Sequence, residues 1–209
     1  MGFQVGAYDP RYPLVIDPKL DFSSYSGSGD LNYAASATYG EQGSMYGAGV
    51  NFGAHYPTTT GSFQTAFAGD SIFNVDLAIS KFSQDGRKLL YATYLGGNDV
   101  DLVQSTIADD SGSLYLLGTT GSADFPVTSQ AIQTNFRGGP YQEAPAYNHL
   151  QNGSDLFVAR LSPEGDQLLG STFLGGSQND GWNKLAFNYG DHQRGELVLT
   201  QNQEVLLTS

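Results

Sequence analysis

Tyr91-Ala92-Thr93-Tyr94-Leu95-Gly96 restates Phe22-Ser23-Ser24-Tyr25-Ser26-Gly27 at an offset of 69 residues. The same offset relates Tyr46 to Tyr115, Gly49 to Gly118, Pro57 to Pro126, Gln64-Thr65 to Gln133-Thr134 and Phe67 to Phe136, with no gap between them. A register held over that span marks a tandem repeat, and a repeat decides the fold before any local reading does. Past Phe136 the offset widens to 79, where Asp76-Leu77-Ala78-Ile79 meets Asp155-Leu156-Phe157-Val158 and Ser83-Gln84-Asp85-Gly86 meets Ser162-Pro163-Glu164-Gly165. An insertion at about 139–152, with prolines at 140 and 145, accounts for the change and reads as a surface loop. A third copy opens at Ser171-Thr172-Phe173-Leu174-Gly175-Gly176.

Within each copy the signals are strands and turns. Leu77 to Phe82 and Leu156 to Leu161 carry apolar residues on both alternating faces, as strands covered on two sides do. Gln84-Asp85-Gly86 and Pro163-Glu164-Gly165 follow them as hairpin turns, in which glycine accepts a positive φ. Strands around 89–95 and 168–174 come next. Val103 to Ala108 and Ser113 to Thr119 form a further pair across Asp109-Asp110-Ser111-Gly112. The expectation is an all-β chain of β-propeller-like tandem four-stranded blades, about two complete copies and a partial third. The division expected is a lead-in over 1–19, repeat 1 over 20–88, repeat 2 over 89–167 and a partial repeat 3 over 168–209.

Composition agrees with short strands and tight turns: 27 Gly, 13 Tyr and 12 Phe among 209 residues, with 14% charged. A formal charge of −12 repels phosphate backbones and anionic lipid, so nucleic acid is not an expected partner. Without cysteine there is no disulfide, thiolate metal site or cysteine nucleophile. No apolar run approaches the ~18 residues of a membrane-spanning helix, so membrane insertion is not expected. Met1-Gly2-Phe3-Gln4-Val5 lacks a basic-then-apolar export pattern, and an export signal is expected outside this chain.

Tyr91 to Gly97, Asp124-Phe125-Pro126-Val127-Thr128, Ile132-Gln133-Thr134-Asn135-Phe136 and Asp155 to Gly165 together resemble the SBBP bacterial β-propeller repeat. Tyr12 to Pro18 looks like the end of the domain that often precedes such repeats, and Asn188 to Gly195 like an insertion found in members from Bacteroidetes. The resemblance covers about Tyr12 to Ser209. It implies a seven-bladed propeller within a large secreted or cell-surface protein, often exported by type IX secretion and associated with gliding or adhesion. It brings no catalytic residues. Three copies are fewer than seven, so a fragment is expected, completed by the remainder of the parent chain or by a homo-oligomer.

The common catalytic patterns are missing: no Gly-x-Ser-x-Gly, no His-Glu-x-x-His and no phosphate-binding Gly-Lys-Ser/Thr. Gly47-Ala48-Gly49-Val50-Asn51-Phe52-Gly53 reads as a strand end and turn rather than a dinucleotide loop, since Leu116 replaces its first glycine in the second copy. Ser83 to Gly86 resembles the Asp-box turn of sialidase propellers without its later glycine and tryptophan, and reads as a hairpin. His55, His149 and His192 fall in loops with no second histidine at ligand spacing.

The acidic loops after each Gly-Gly, Asn98-Asp99-Val100-Asp101 and Gln178-Asn179-Asp180, supply the candidate calcium ligands Asp99, Asp101 and Asp180, because calcium takes carboxylate and carbonyl oxygens in turns. Turn formation by their own side-chain hydrogen bonds is the competing account. Asp76 and Asp155 recur at one position and read as caps at the start of a strand. Trp182, the only tryptophan, is the candidate ligand-binding aromatic, with core packing as its alternative.

No cofactor is required by these motifs. The expected role is a non-catalytic scaffold or binding module for a protein or glycan. A polysaccharide-acting enzyme would need two carboxylates at one opening, and raised-pKa acids clustered beside Trp182 or Tyr94 would favour it. Acids spread singly over turns would favour the scaffold. A purely structural arc closed by oligomerisation is the third reading.

Overall fold

The computed structural model describes residues 7, 9, 11, 27–69, 74–143, 149–183 and 194–209. Tyr12 to Pro18, Phe22 to Tyr25, Asn188 to Gly190 and His192 lie outside the described residues. The elements are β1 (Asn32–Tyr39), a 3-10 turn (Glu41–Gly43), β2 (Met45–Asn51), β3 (Asp76–Phe82), β4 (Leu89–Leu95), β5 (Asp101–Ala108), β6 (Leu114–Thr120), β7 (Asp155–Leu161), β8 (Leu168–Leu174), β9 (Glu196–Leu199) and β10 (Val205–Thr208). Successive strands pair antiparallel into sheets β1-β2-β3-β4, β5-β6-β7-β8 and β9-β10. The chain is all-β, and the first two sheets are copies of each other strand by strand at the offsets 69, 69, 79 and 79. The hydrogen-bonded sheet runs from β1 to β4, so its last strand comes from the stretch 89–95 at which the sequence repeat was counted anew.

One local device is built into both copies. β1 bulges between Ala34 and Ser36, and β5 between Val103 and Ser105. Opposite each bulge the strands come so close that only glycine fits: a Cβ on Gly49 would lie 2.2 Å from the Tyr33 carbonyl oxygen, and one on Gly118 would lie 2.1 Å from that of Leu102. The serine that follows each bulge bonds to the following sheet. Ser36 Oγ accepts a hydrogen bond from Thr106 N at 3.1 Å, and Ser105 Oγ accepts one from Leu197 N at 3.3 Å.

The sheets pack face on face. Tyr46, Ala48, Ile79, Tyr91 and Leu95 of the first meet Leu114, Leu116, Phe157, Ala159, Leu161 and Phe173 of the second in one buried cluster. Fully burying each of the leucine, isoleucine and phenylalanine side chains contributes ~1.5–3 kcal/mol before ordering entropy is charged against it. The opposite face of the first sheet is covered in part by its own β2–β3 loop, whose Tyr56 and Phe67 pack on Ala78, Ala92 and Tyr94. On the far side of the second sheet Tyr115 and Leu117 pack against Leu197, Leu199 and Val205. β3 is buried along both faces as the sequence leads one to expect, whereas β7 alternates buried with half-buried residues. The reason is coverage: beyond β7 lies a sheet of two strands instead of four.

Each junction also holds one cation over a tyrosine ring. Lys81 Nζ lies 5.0 Å from the Tyr46 ring centroid and donates to Glu41 Oε1 at 2.7 Å and to the Pro163 carbonyl at 3.1 Å. Arg160 repeats the arrangement at 5.0 Å over Tyr115, with Nη2 donating to Asp109 Oδ2 at 3.0 Å.

β9 and β10 are the first hairpin of a third sheet. Thr200 N donates to Glu204 O and Gln203 N to Thr200 O, as Asp109 N donates to Ser113 O and Gly112 N to Asp109 O. Gln203 takes the left-handed φ of 63° where Gly112 has 85°. This match relates the hairpins at an offset of 91 rather than 79, which puts further inserted residues between Trp182 and Glu196. The earlier insertion is tied down at its base: Gln142 and Leu150 exchange two backbone hydrogen bonds at 3.1 Å, and Leu150 is fully buried.

Candidate functional site

The recurring polar residues converge on the Gly-Gly turns that lead from one sheet to the next. Asp76 opens β3, and its Oδ2 accepts from Ala68 N at 2.8 Å and Gln64 Nε2 at 3.2 Å. Gln64 in turn accepts from Gly96 N at 3.1 Å. The second copy repeats this relay: Asp155 Oδ2 accepts from Arg137 N at 2.8 Å and Gln133 Nε2 at 3.1 Å, and Gln133 accepts from Gly175 N at 3.2 Å. One carboxylate and one amide thus join the long loop, the third strand and the Gly-Gly turn. Gln64 and Gln133 were visible as a repeated pair, but their link to the aspartates is a tertiary fact.

The candidate calcium ligands fall into two positions. Asp101 and Asp180 are equivalents: Asp101 Oδ2 accepts from Gly97 N at 2.7 Å and Ser122 Oγ at 2.9 Å, and Asp180 Oδ2 accepts from Gly176 N at 2.8 Å. Each closes a Gly-Gly turn, one at each junction. Asp99 Oδ1 accepts from Val100 N at 2.8 Å. Among the described residues no three His, Asp or Glu side chains gather in a way that could hold a metal ion. Trp182 is 8% exposed and packs in a cluster with Val50, Val75, Val100, Leu102 and Leu150. His55 Nδ1 pairs with Asp30 Oδ1 at 2.9 Å, and the His149 ring makes a tilted contact with Tyr141, centroids 5.5 Å apart.

The first junction contains a feature absent from the sequence reading. A Cβ on Gly96 would lie 2.6 Å from Asp76 Oδ1 and 2.9 Å from Asp101 Oδ2, so carboxyl groups from two different sheets approach over that glycine. On the next residue a Cβ on Gly97 would meet Asp124 Oδ1 at 2.5 Å, and Asp124 Oδ1 also accepts from Asn98 N at 2.9 Å. Burial, and then the Asp124 charge, push the Asp76 carboxyl up to about 7. Burial, and then the Asp76 charge, hold Asp101 well above the usual carboxylate range. Asp155 is raised as well, chiefly by burial.

A carboxyl pair of this kind can hold a proton at neutral pH, which is the property a general acid needs. Burial, and after it the charges of Asp30 and then Asp76, raise the Tyr94 phenol. Both carboxyls are nevertheless wholly buried. The surface grooves beside β1 and β2, beside β5, and along β8 and β10 are lined by other residues.

Comparison with protein-family models and with curated proteins finds no match to this chain.

Proposed function

We propose that this chain is a segment of an SBBP-type β-propeller in a secreted or cell-surface bacterial protein, and that it serves as a non-catalytic scaffold or binding module for a protein or glycan. The observation that carries this reading is the duplicated use of its acids. Asp76 and Asp155, and likewise Asp101 and Asp180, make the same backbone hydrogen bonds in successive sheets. Groups spent on one structural task in every copy are framework, and function then belongs to the loops, where the copies diverge. The family assignment itself rests on the quoted motifs.

A second reading, a polysaccharide-acting enzyme, draws on the raised pKa of the Asp76 and Asp101 pair. The full burial of both acids weighs against it. The test is affinity electrophoresis of the purified chain in a panel of bacterial and plant polysaccharides, with reducing ends assayed in parallel. Retardation without new reducing ends is expected of a glycan-binding module. Release of reducing ends that is abolished in a folded Asp76→Asn variant would establish the enzyme instead.

A further inference from the structure

β4 and β8 are the outer strands of the two four-stranded sheets, and among the described residues no strand pairs with their outer edges. In an antiparallel strand the N–H and C=O of every second residue point away from the paired neighbour. On β4 these residues include Ala92 and Tyr94, and on β8 Ser171 and Phe173. A free row of such groups is a template for another strand. The outer strands also display apolar side chains, with Leu90 48% exposed and Leu169 47% exposed.

Neither row is free. In the first sheet Thr59 N donates to Ala92 O at 2.9 Å, and Ala92 N donates to Thr59 Oγ1 at 3.1 Å. Tyr94 N donates to Gln64 O at 2.9 Å, and Tyr94 O accepts from Thr93 Oγ1 at 2.9 Å. Gly96 N donates to Gln64 Oε1 at 3.1 Å. The second sheet repeats each bond. Thr128 N donates to Ser171 O at 3.1 Å, Ser171 N to Thr128 Oγ1 at 3.2 Å and Phe173 N to Gln133 O at 3.1 Å. Thr172 Oγ1 donates to Phe173 O at 2.9 Å, and Gly175 N to Gln133 Oε1 at 3.2 Å. The β2–β3 and β6–β7 loops thus occupy both edges, with side-chain oxygens at positions that the backbone of a paired strand would fill.

The loops also satisfy their own carbonyls. Thr59 O accepts from Ser62 N at 3.2 Å, Thr65 O from Thr58 Oγ1 at 3.1 Å and Ala66 O from Gln64 Nε2 at 3.1 Å. In the second loop Thr128 O accepts from Ala131 N at 3.1 Å and Asn135 O from Gln133 Nε2 at 2.9 Å. A segment bonded in this way ends a sheet without offering a new edge.

We propose that residues 58–66 and 127–135 are edge straps that keep this chain from pairing with a second copy of itself. With a strap released, β4 or β8 pairs antiparallel with the same strand of another molecule, a self-complementary contact that closes as a dimer. The strap residues Thr59, Gln64, Thr128 and Gln133 therefore act against association. This inference concerns the outer edges of the sheets and stands apart from the propeller-segment reading.

The test uses the full chain. Thr59→Pro removes both the N–H and the hydroxyl that hold Ala92, Thr59→Ala combined with Gln64→Ala releases the strap by side chains alone, and Thr59→Ser keeps every bond. Light scattering over a range of concentrations reads mass, near-ultraviolet circular dichroism of the tyrosines reads the fold, and amide exchange by nuclear magnetic resonance reads the edge. In the released variants the Ala92 and Tyr94 amides should exchange faster than in the parent when dilute. On concentration those amides should regain protection as mass rises about twofold above the parent. Thr59→Ser should match the parent throughout. If Thr59→Pro loses the tyrosine signal, the double variant decides. A released variant that keeps the mass of the parent at every concentration overturns the proposal. So does one that associates while the Ala92 and Tyr94 amides stay unprotected, because the contact then lies elsewhere.

Discussion

Ser36 Oγ accepts a hydrogen bond from Thr106 N at 3.1 Å, joining the bulged first strand of one sheet to the first strand of the next. The same bond recurs between Ser105 and Leu197 at 3.3 Å. Because it links sheets rather than strands, its removal tests how successive units are coupled.

Ser36→Ala should lower stability by about 1–2 kcal/mol, since it deletes an acceptor and leaves the Thr106 N–H without one. For a chain of this size that is a fall in Tm of about 2–8 °C. Ser105→Ala should cost less, because its bond is longer and the third sheet it reaches has two strands. Thermal unfolding followed by circular dichroism measures both. Equal melting of Ser36→Ala and the parent would show that this bond adds nothing to the coupling of the sheets.

Gly118→Ala should be among the most damaging single changes. Its Cβ would meet the Leu102 carbonyl at 2.1 Å and the Phe157 ring at 2.5 Å, so backbone must move, at a cost of about 1–3 kcal/mol or more. Gly47→Ala on the matching strand of the first sheet meets nothing within 4 Å and should be neutral or slightly stabilising. Denaturant midpoints of the two variants should therefore move in different directions, and a common shift would contradict the close approach at the bulge.

The Asp76 carboxyl has an ordinary value of 3.8 and is raised to about 7 in the fold. A raised carboxyl binds its proton more tightly folded than unfolded. Its contribution is therefore fully favourable below about pH 4 and is lost as pH rises towards and through 7, on the order of a few kcal/mol. Asp76→Asn keeps an acceptor for Ala68 N and removes the charge. The variant should match the parent near pH 4 and exceed it in stability at pH 8. Parallel pH profiles for the two proteins would show that Asp76 ionises normally.

Asp99, Asp101 and Asp180 spend carboxylate oxygens on nearby backbone N–H groups. A calcium ion on them would compete with those bonds, so melting in excess calcium and in chelator is expected to coincide. A lower Tm in chelator, restored by calcium, would make the Gly-Gly turns metal sites.

Residues that repeat because of local geometry were legible in sequence. Gly86 and Gly165 carry the positive φ their hairpins require, and the alternation of Leu77 to Phe82 marks a strand covered on two sides. The third hairpin was not legible, since Thr200 and Gln203 do the work of Asp109 and Gly112 with different side chains. A hydroxyl can replace a carboxylate as acceptor, and a left-handed residue need not be glycine. The comparison of side chains loses what the comparison of hydrogen bonds keeps.

The candidate site divides in the same way. Asp76, Gln64 and Gly96 each recur in the second copy, but nothing in their spacing says that one amide bridges the other two. The meeting of Asp76 with Asp101 is still less legible, because the two lie on different sheets.

By itself, the sequence of this protein determined the repeat, its strands and turns, and the all-β class, because periodicity and turn chemistry act over a few neighbouring residues. Tertiary structure alone decided where one sheet ends and the next begins, since a tandem repeat can be cut at any point until strands pair. It also decided which acids are buried together and which glycines lie where two strands come too close for a side chain. Those outcomes depend on contacts between residues far apart in the chain, through distances and desolvation that no local pattern encodes.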